Sequence, residues 1–299
     1  MKLTIATSLD DALAAVAAGA RPVAGGSDLV VGARQGKSPL PDSVVAIDRI
    51  RSLGDIDVSN DGVRIGALVT HARLEVDADI VRMYPALADA SALVGSPSTR
   101  NVGTLGGNVM NASPAMDTGA PLAVLGAEIE LQSTKASRRL PVLELWTAPG
   151  RTSAQPDELC VAVRLPSLPA RSSSAYVRLE YRRAMEIAVV GAAASVTLDA
   201  DGALAALSIA LTAVAPTIVS VGELDTLIGR QVDHALLADV ASRASERATP
   251  ISDLRASERY RRHCVGVMAS RAVDAAARRA RGESIAIPVN RSLGIGAAS

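Results

Sequence analysis

Phenylalanine is absent from this 299-residue chain, tryptophan occurs once at Trp146, and tyrosine only four times. A hydrophobic fraction of 48% must therefore be built from Ala, Val, Leu and Ile, and small side chains of this kind permit close backbone packing. Lysine is almost missing as well, occurring at Lys2, Lys37 and Lys135. Acidic and basic residues balance at 31 each, so no overall field would hold the chain on nucleic acid or an anionic membrane. Partners must be sought in local sites.

No apolar run approaches the ~18–20 residues that cross a bilayer, and Met1-Lys2-Leu3-Thr4-Ile5-Ala6 is too short in apolar length for a signal peptide. This predicts a cytoplasmic protein with no membrane span. Cys160 and Cys264 lie in unrelated segments without Cys-x-x-Cys or Cys/His spacing, so the chain alone cannot supply the roughly four soft ligands of a zinc or iron–sulfur centre. His71, His234 and His263 are far apart and read as surface or packed residues, which leaves no metal site.

The length suggests about two domains. Leu3 to Ala6 reads as a strand, Thr7-Ser8 as a helix cap ahead of Leu9, Leu13 and Val16, and Arg21 to Ala24 as a second strand entering Gly25-Gly26-Ser27-Asp28. Further strands are expected at Val44–Ile47 and Val63–Leu68, and a helix over Tyr84 to Val94. Gly95 to Asp117 is so rich in Gly, Ser, Asn and Pro that no regular element is expected there. Glu158 to Leu165 alternates as a half-buried strand, and Pro166 to Ser174 reads as a linker. Ala188–Leu198 and Ala203–Val214 predict a β-hairpin, followed by helices over Asp233 to about Ala248 and Ser257 to about Arg281. The tail after Ser284 has no strong pattern, and no internal repeat is present.

Two segments join glycines to hydrogen-bonding side chains: Ala24-Gly25-Gly26-Ser27-Asp28-Leu29 and Gly103-Thr104-Leu105-Gly106-Gly107-Asn108. Glycine lets successive backbone N–H groups approach an anion, so each is a candidate phosphate cradle, and a branched side chain at Gly107 should displace the phosphates. Neither is a dinucleotide fingerprint of the G-x-G-x-x-G kind, nor a triphosphate loop. Each alone also reads as an ordinary tight turn.

With Arg100-Asn101-Val102 leading into the second loop and Asn111-Ala112-Ser113-Pro114-Ala115-Met116-Asp117 following it, these segments resemble the FAD signatures of the medium subunit of molybdenum hydroxylases, the family of carbon monoxide and xanthine dehydrogenases. Tyr181-Arg182-Arg183-Ala184-Met185-Glu186-Ile187-Ala188 is similar to its Arg-Arg stretch beside the flavin. Pro250–Arg255 with Tyr260-Arg261-Arg262 resembles its C-terminal signature. The resemblance implies an α+β chain: a two-subdomain FAD-binding domain of the vanillyl-alcohol-oxidase (PCMH) type over about residues 1–168, with subdomains of about 1–55 and 56–168. A C-terminal domain with a small antiparallel sheet and helices over about 172–282 and a tail over about 283–299 complete it. FAD would be held by Ala24, Gly25, Gly26, Ser27, Asp28, Leu29, Thr104, Leu105, Gly106, Gly107 and Asn108 around the pyrophosphate, by Asp117 as a hydrogen-bonding acid, and by Arg178, Cys160 and Ile187 near the flavin ring. Ser27 and Ile187 stand where some members carry His and an aromatic, and Val94 where some carry an aromatic near the adenine.

The resemblance further implies an oxidoreductase with no catalytic residue of its own for the substrate. Molybdenum–pterin would sit on a large partner subunit and [2Fe-2S] clusters on a small one, in a heterohexamer with two copies of each chain. Without the resemblance, Asp117 reads as a cap for a helix beginning near Ala120, Arg178 as an exposed strand residue, and Cys160 and Ile187 as core. A stand-alone FAD oxidoreductase of the same fold and a non-enzymatic ligand or assembly module are the competing functional readings.

Overall fold

A computed structural model describes residues 1–36, 39–182 and 184–295. The chain opens with β1 (Lys2–Ile5), α1 (Leu9–Ala17), β2 (Arg21–Val23), α2 (Ser27–Arg34) and β3 (Ser43–Ala46), the strands forming a parallel sheet in the order β1-β3-β2. Ser8 caps α1 by accepting from Asp11 N at 3.1 Å, as the cap reading predicts, and Leu13 and Val16 turn inward. In contrast, α2 buries none of its residues.

A five-stranded antiparallel sheet in the order β4-β5-β10-β6-β7 follows, built from β4 (Ile56–Ser59), β5 (Gly62–Gly66), β6 (Glu128–Gln132), β7 (Ser137–Pro141) and β10 (Leu159–Pro166). Between β5 and β6 run α3 (His71–Leu74), α4 (Ala78–Met83), α5 (Pro85–Leu93), α6 (Pro97–Val102), α7 (Leu105–Asn111) and α8 (Gly119–Val124). After β7 come α9 (Val142–Leu145) and a small ribbon of β8 (Trp146–Ala148) and β9 (Arg151–Thr152).

The Gly95–Asp117 segment departs from expectation, since it holds α6 and α7. The residues that read as turn formers are their caps: Ser96 Oγ accepts from Thr99 N at 3.2 Å and Thr104 Oγ1 from Gly107 N at 3.2 Å. Pro97 occupies the first turn of α6, where its missing N–H costs nothing. Helices this short are held by their termini and packing, not by composition.

The C-terminal part is a meander, β11 (Ser172–Leu179), β12 (Val190–Leu198), β13 (Leu204–Thr212) and β14 (Val219–Ser220), with α10 (His234–Arg247), α11 (Glu258–Ala280) and α12 (Val289–Ser292). The expected hairpin is β12–β13, with Asp199 Oδ1 gathering the amides of Asp201 and Ala203 in its turn. Both faces of this sheet are covered. Ala175, Val177, Ala192 and Ala194 pack in one cluster with α10 and α11, while the alternate residues Tyr176, Ala193 and Ala210 pack with α5 and α8 in another. A strand buried on both faces loses polar alternation, and alanine lets the helices approach closely.

Asp89, fully buried on α5, ties these parts together. Its carboxylate accepts from Arg279 Nη1 and Nη2 at 2.6 and 3.0 Å, from Tyr176 N at 3.2 Å and from Val289 N at 2.9 Å. The patternless tail is therefore anchored. Asn290, 1% exposed, accepts from Arg178 N and donates to Arg178 O at 3.2 and 2.9 Å, standing in for a neighbouring strand beside β11.

Candidate functional site: two glycine loops in backbone contact

The first loop leaves β2 through Ala24 and turns at Gly26, whose φ of 67° is left-handed and suits glycine. Gly25 explains the second glycine. A Cβ built on it would lie 1.6 Å from Val102 O and 2.4 Å from Val102 C, so this loop meets the second one backbone to backbone.

Gly26 begins α2 without a side-chain cap, and among the described residues no carbonyl or side chain accepts from the amides of Ser27, Asp28 or Leu29; the first helical bond is Val30 N to Gly26 O at 2.9 Å. Three adjacent donors at a helix start form an anion nest. Burial pushes the Asp28 carboxyl upward from its ordinary value.

The second loop is built differently. Leu105 N donates to Val69 O at 2.9 Å, Gly106 N to Ala67 O at 3.0 Å, Gly107 N to Thr104 Oγ1 and Asn108 N to Thr104 O at 2.9 Å. These four amides are bonded within the protein. Leu105 is fully buried, and a Cβ on Gly106 would sit 2.6 Å from that of Ala67, so this glycine serves packing. Gly107 is exposed, and its Cβ would meet only Thr104 Oγ1, at 2.9 Å. Left for a ligand among the described residues are the amide and hydroxyl of Thr104 and the Nδ2 donor of Asn108, whose Oδ1 accepts from Thr118 Oγ1 at 2.6 Å.

His71, which sequence reading set aside, lies at the same junction. Its backbone N–H donates to Gly103 O at 3.1 Å, and its ring Cδ2 would lie 3.4 Å from a Cβ on Gly103, with Ser27 Oγ 3.6 Å from the same point. Burial, with Arg100 nearby, lowers its pKa to about 4, so the ring is neutral near pH 7.

The remaining candidates are grouped otherwise. Asp117 and Arg178 form a buried pair at 2.7 Å; Arg178 also reaches Glu180 at 2.7 Å, and Tyr176 O–H donates to Asp117 at 2.8 Å. Arg178 is 0% exposed, which corrects the exposed-strand alternative. Burial opposes its charge, but Asp117, Tyr176 and Glu180 outweigh burial and raise its pKa. Asp117 does not cap the next helix, since α8 begins after Thr118 with no side-chain cap. Cys160 is buried at a β-bulge in β10, its thiol pushed up to about 12 by burial and then by Glu130, so it is no nucleophile. Ile187 is 45% exposed rather than core, in a segment whose Met185 N donates to Gly95 O at 2.9 Å. Arg183 of that stretch lies outside the described residues.

Free amides, two hydroxyls and a carboxamide carried by two loops in backbone contact fit the diphosphate of a dinucleotide bound by dipoles. Residues 1–168 match the model of the FAD binding domain in molybdopterin dehydrogenase, and residues 175–276 that of the CO dehydrogenase flavoprotein C-terminal domain. The chain belongs to the molybdopterin dehydrogenase flavoprotein family.

Its relatives include the 6-hydroxypseudooxynicotine dehydrogenase complex subunit alpha of Paenarthrobacter nicotinovorans, 32% identical over 93% of this chain and 94% of that one. The carbon monoxide dehydrogenase medium chain of Afipia carboxidovorans is 32% identical over 88% and 90%. Reconstituted CO dehydrogenase from Oligotropha carboxidovorans superposes with a TM-score of 0.88 at 30% identity, covering 93% of this chain and 98% of that one. The α+β fold, the FAD cofactor and the oxidoreductase class of this family flavoprotein follow from that membership.

Proposed function

We propose that the Gly25–Leu29 nest, closed by Val102–Thr104, holds the diphosphate of FAD, with Ser27, Thr104 and Asn108 as side-chain donors. The observation that carries this is the Gly25–Val102 contact, because two segments far apart in sequence become one cradle there. The Asp117–Arg178–Glu180 cluster orients what surrounds the cradle: Asn108 is tied to Thr118, and the neighbouring Asp117 is tied to β11. Exposed Ile187 and Met185 offer apolar cover to the ring system.

When bound, FAD supplies an electron carrier that works in single or paired steps, between [2Fe-2S] clusters of a small partner and an external acceptor. The chain's own residues bind, orient and tune. Substrate chemistry belongs to molybdenum–pterin on a large partner; the relatives named as complex subunit and medium chain support a multi-subunit assembly, here two copies of each of three chains. Both cysteines are free thiols, which suits the reducing cytoplasm. Among the described residues no helix is long and apolar enough to cross a membrane.

The test is the absorbance spectrum of the purified full chain, followed by co-expression with its genomic neighbours. Flavin bands with turnover only in the assembly are expected. A colourless chain refutes the cradle, and turnover by the chain alone refutes the subunit role.

A further inference from the structure

His71 opens α3, held in place by Thr70, whose Oγ1 accepts from Arg73 N at 3.3 Å. Val69 to His71 runs against Gly103 to Leu105 as a short ladder, with Leu105 N on Val69 O, His71 N on Gly103 O, and a bridge between Thr70 and Thr104. The backbone thus places the imidazole against the hinge between α6 and α7. Of its two nitrogens, Nδ1 is buried and has no hydrogen-bond partner among the described residues. Cδ2, bonded to Nε2, is the ring atom nearest Gly103, on the side where Ser27 Oγ also converges.

We propose that His71 is a cofactor-binding residue, donating from Nε2 to the diphosphate bridge of FAD where the two loops meet. This rests on the cradle reading above and adds to it a side chain outside both glycine segments. A proton on Nδ1 would be stranded without an acceptor, so the imidazole keeps its proton on Nε2. The charged groups of the packed elements agree. Arg100 on α6 disfavours a second proton and is itself paired with Glu75, 3.1 Å away beyond the end of α3, so it is not free to bind phosphate in place of His71. Burial pushes the carboxyl of Asp28, in the first turn of α2, upward from its ordinary value. A neutral N–H donor therefore complements the neutral amides of Ser27 to Leu29, and the full set binds an anion without burying a lone cation.

The test uses the full-length chain in the assembly with which it purifies, stripped of flavin and titrated with FAD, with inorganic pyrophosphate as competitor. His71→Gln keeps a donor near the Nε2 position, whereas His71→Asn places it near Nδ1 and His71→Phe removes it. Loss of one hydrogen bond to a charged group predicts FAD binding weaker by about 10- to 100-fold in H71N and H71F, near-native binding in H71Q, and pyrophosphate competition lost in step with FAD affinity. Native FAD affinity in H71F would overturn the proposal. So would weaker FAD binding with undiminished pyrophosphate competition, or equal losses in all three variants, since packing alone would explain those. Wild-type protein that binds no FAD would sink the cradle itself, a result distinct from native binding in the variants.

Discussion

Gly25→Ala is the sharpest perturbation of the cradle. Its Cβ would lie 1.6 Å from Val102 O, whereas carbon and carbonyl oxygen ordinarily approach no closer than about 3.3 Å, so the loops must part by roughly 1.7 Å. The second loop cannot easily give way. Gly103 N is bonded to Thr99 O at 2.7 Å, Leu105 and Gly106 are bonded to the Val69 and Ala67 carbonyls, and Arg100 is paired with Glu75. The first loop yields instead, because α2 behind it buries no side chain. A nest displaced by more than an ångström loses about two hydrogen bonds to charged oxygen, each worth roughly 1.5–3 kcal/mol. FAD affinity should then fall by at least about a hundredfold, while the melting temperature of the flavin-free chain changes little. Bound flavin per chain, from absorbance, and an equilibrium titration measure this, with Gly222→Ala as control because a Cβ there enters open space. Native flavin content and affinity in G25A would refute the reasoning.

Asp89→Asn should be the most damaging change away from the loops, because it leaves the 6%-exposed Arg279 side chain without its carboxylate partner. Breaking a buried pair costs about 3–5 kcal/mol, and a fall in melting temperature on the order of 10 °C in a thermal scan is expected. A change of only a degree or two would show that Asp89 does not clamp α5, β11, α11 and the tail. A pH effect follows from His71, whose folded pKa of about 4 lies below the ordinary 6.5. Between those values the unfolded chain holds more protons, so stability is full above pH 6.5 and is lost as pH falls toward 4, by roughly 3 kcal/mol. Denaturant melts of flavin-free protein at several pH values should show that slope in wild type and a shallower one in His71→Gln; parallel slopes would assign it to other groups.

Periodicity made α1, α5, β10, the β12–β13 hairpin and the two long C-terminal helices legible before any coordinates, because each carries a repeating apolar face or a turn with fixed chemistry. It missed α6 and α7, where Ser, Thr, Asn and Pro act as caps rather than turn formers, and it missed the anchoring of the tail, since Asn290 substitutes for a strand through one carboxamide. At the site, motif resemblance drew attention to both loops, yet it gave every residue in them the same role. Leu105 and Gly106 are buried, and a Cβ on Gly107 would meet a side-chain hydroxyl where one on Gly25 would meet the Val102 backbone. His71 lacked any motif. Only the Val69–His71 ladder against Gly103 brings it to the junction, and a long-range pairing of that kind leaves no local pattern.

The unequal construction of the two loops has a physical reason. A nest whose amides all await a ligand is poorly fixed before binding, since the groups that would order it are the ones left free. The first loop leaves the Ser27, Asp28 and Leu29 amides uncommitted among the described residues, and α2 behind it adds no buried side chain. The second loop spends its amides on Val69, Ala67 and Thr104 and packs Gly106 onto Ala67, which makes it a rigid wall. Gly25 presses the open loop on that wall, so the donors are positioned by a contact that uses none of them. On the cradle reading proposed above, affinity would arise from the uncommitted amides and geometry from the committed loop. The small-residue core permits this arrangement, because Gly106 of α7 lies against Ala67 where a Cβ would come within 2.6 Å of the alanine's own.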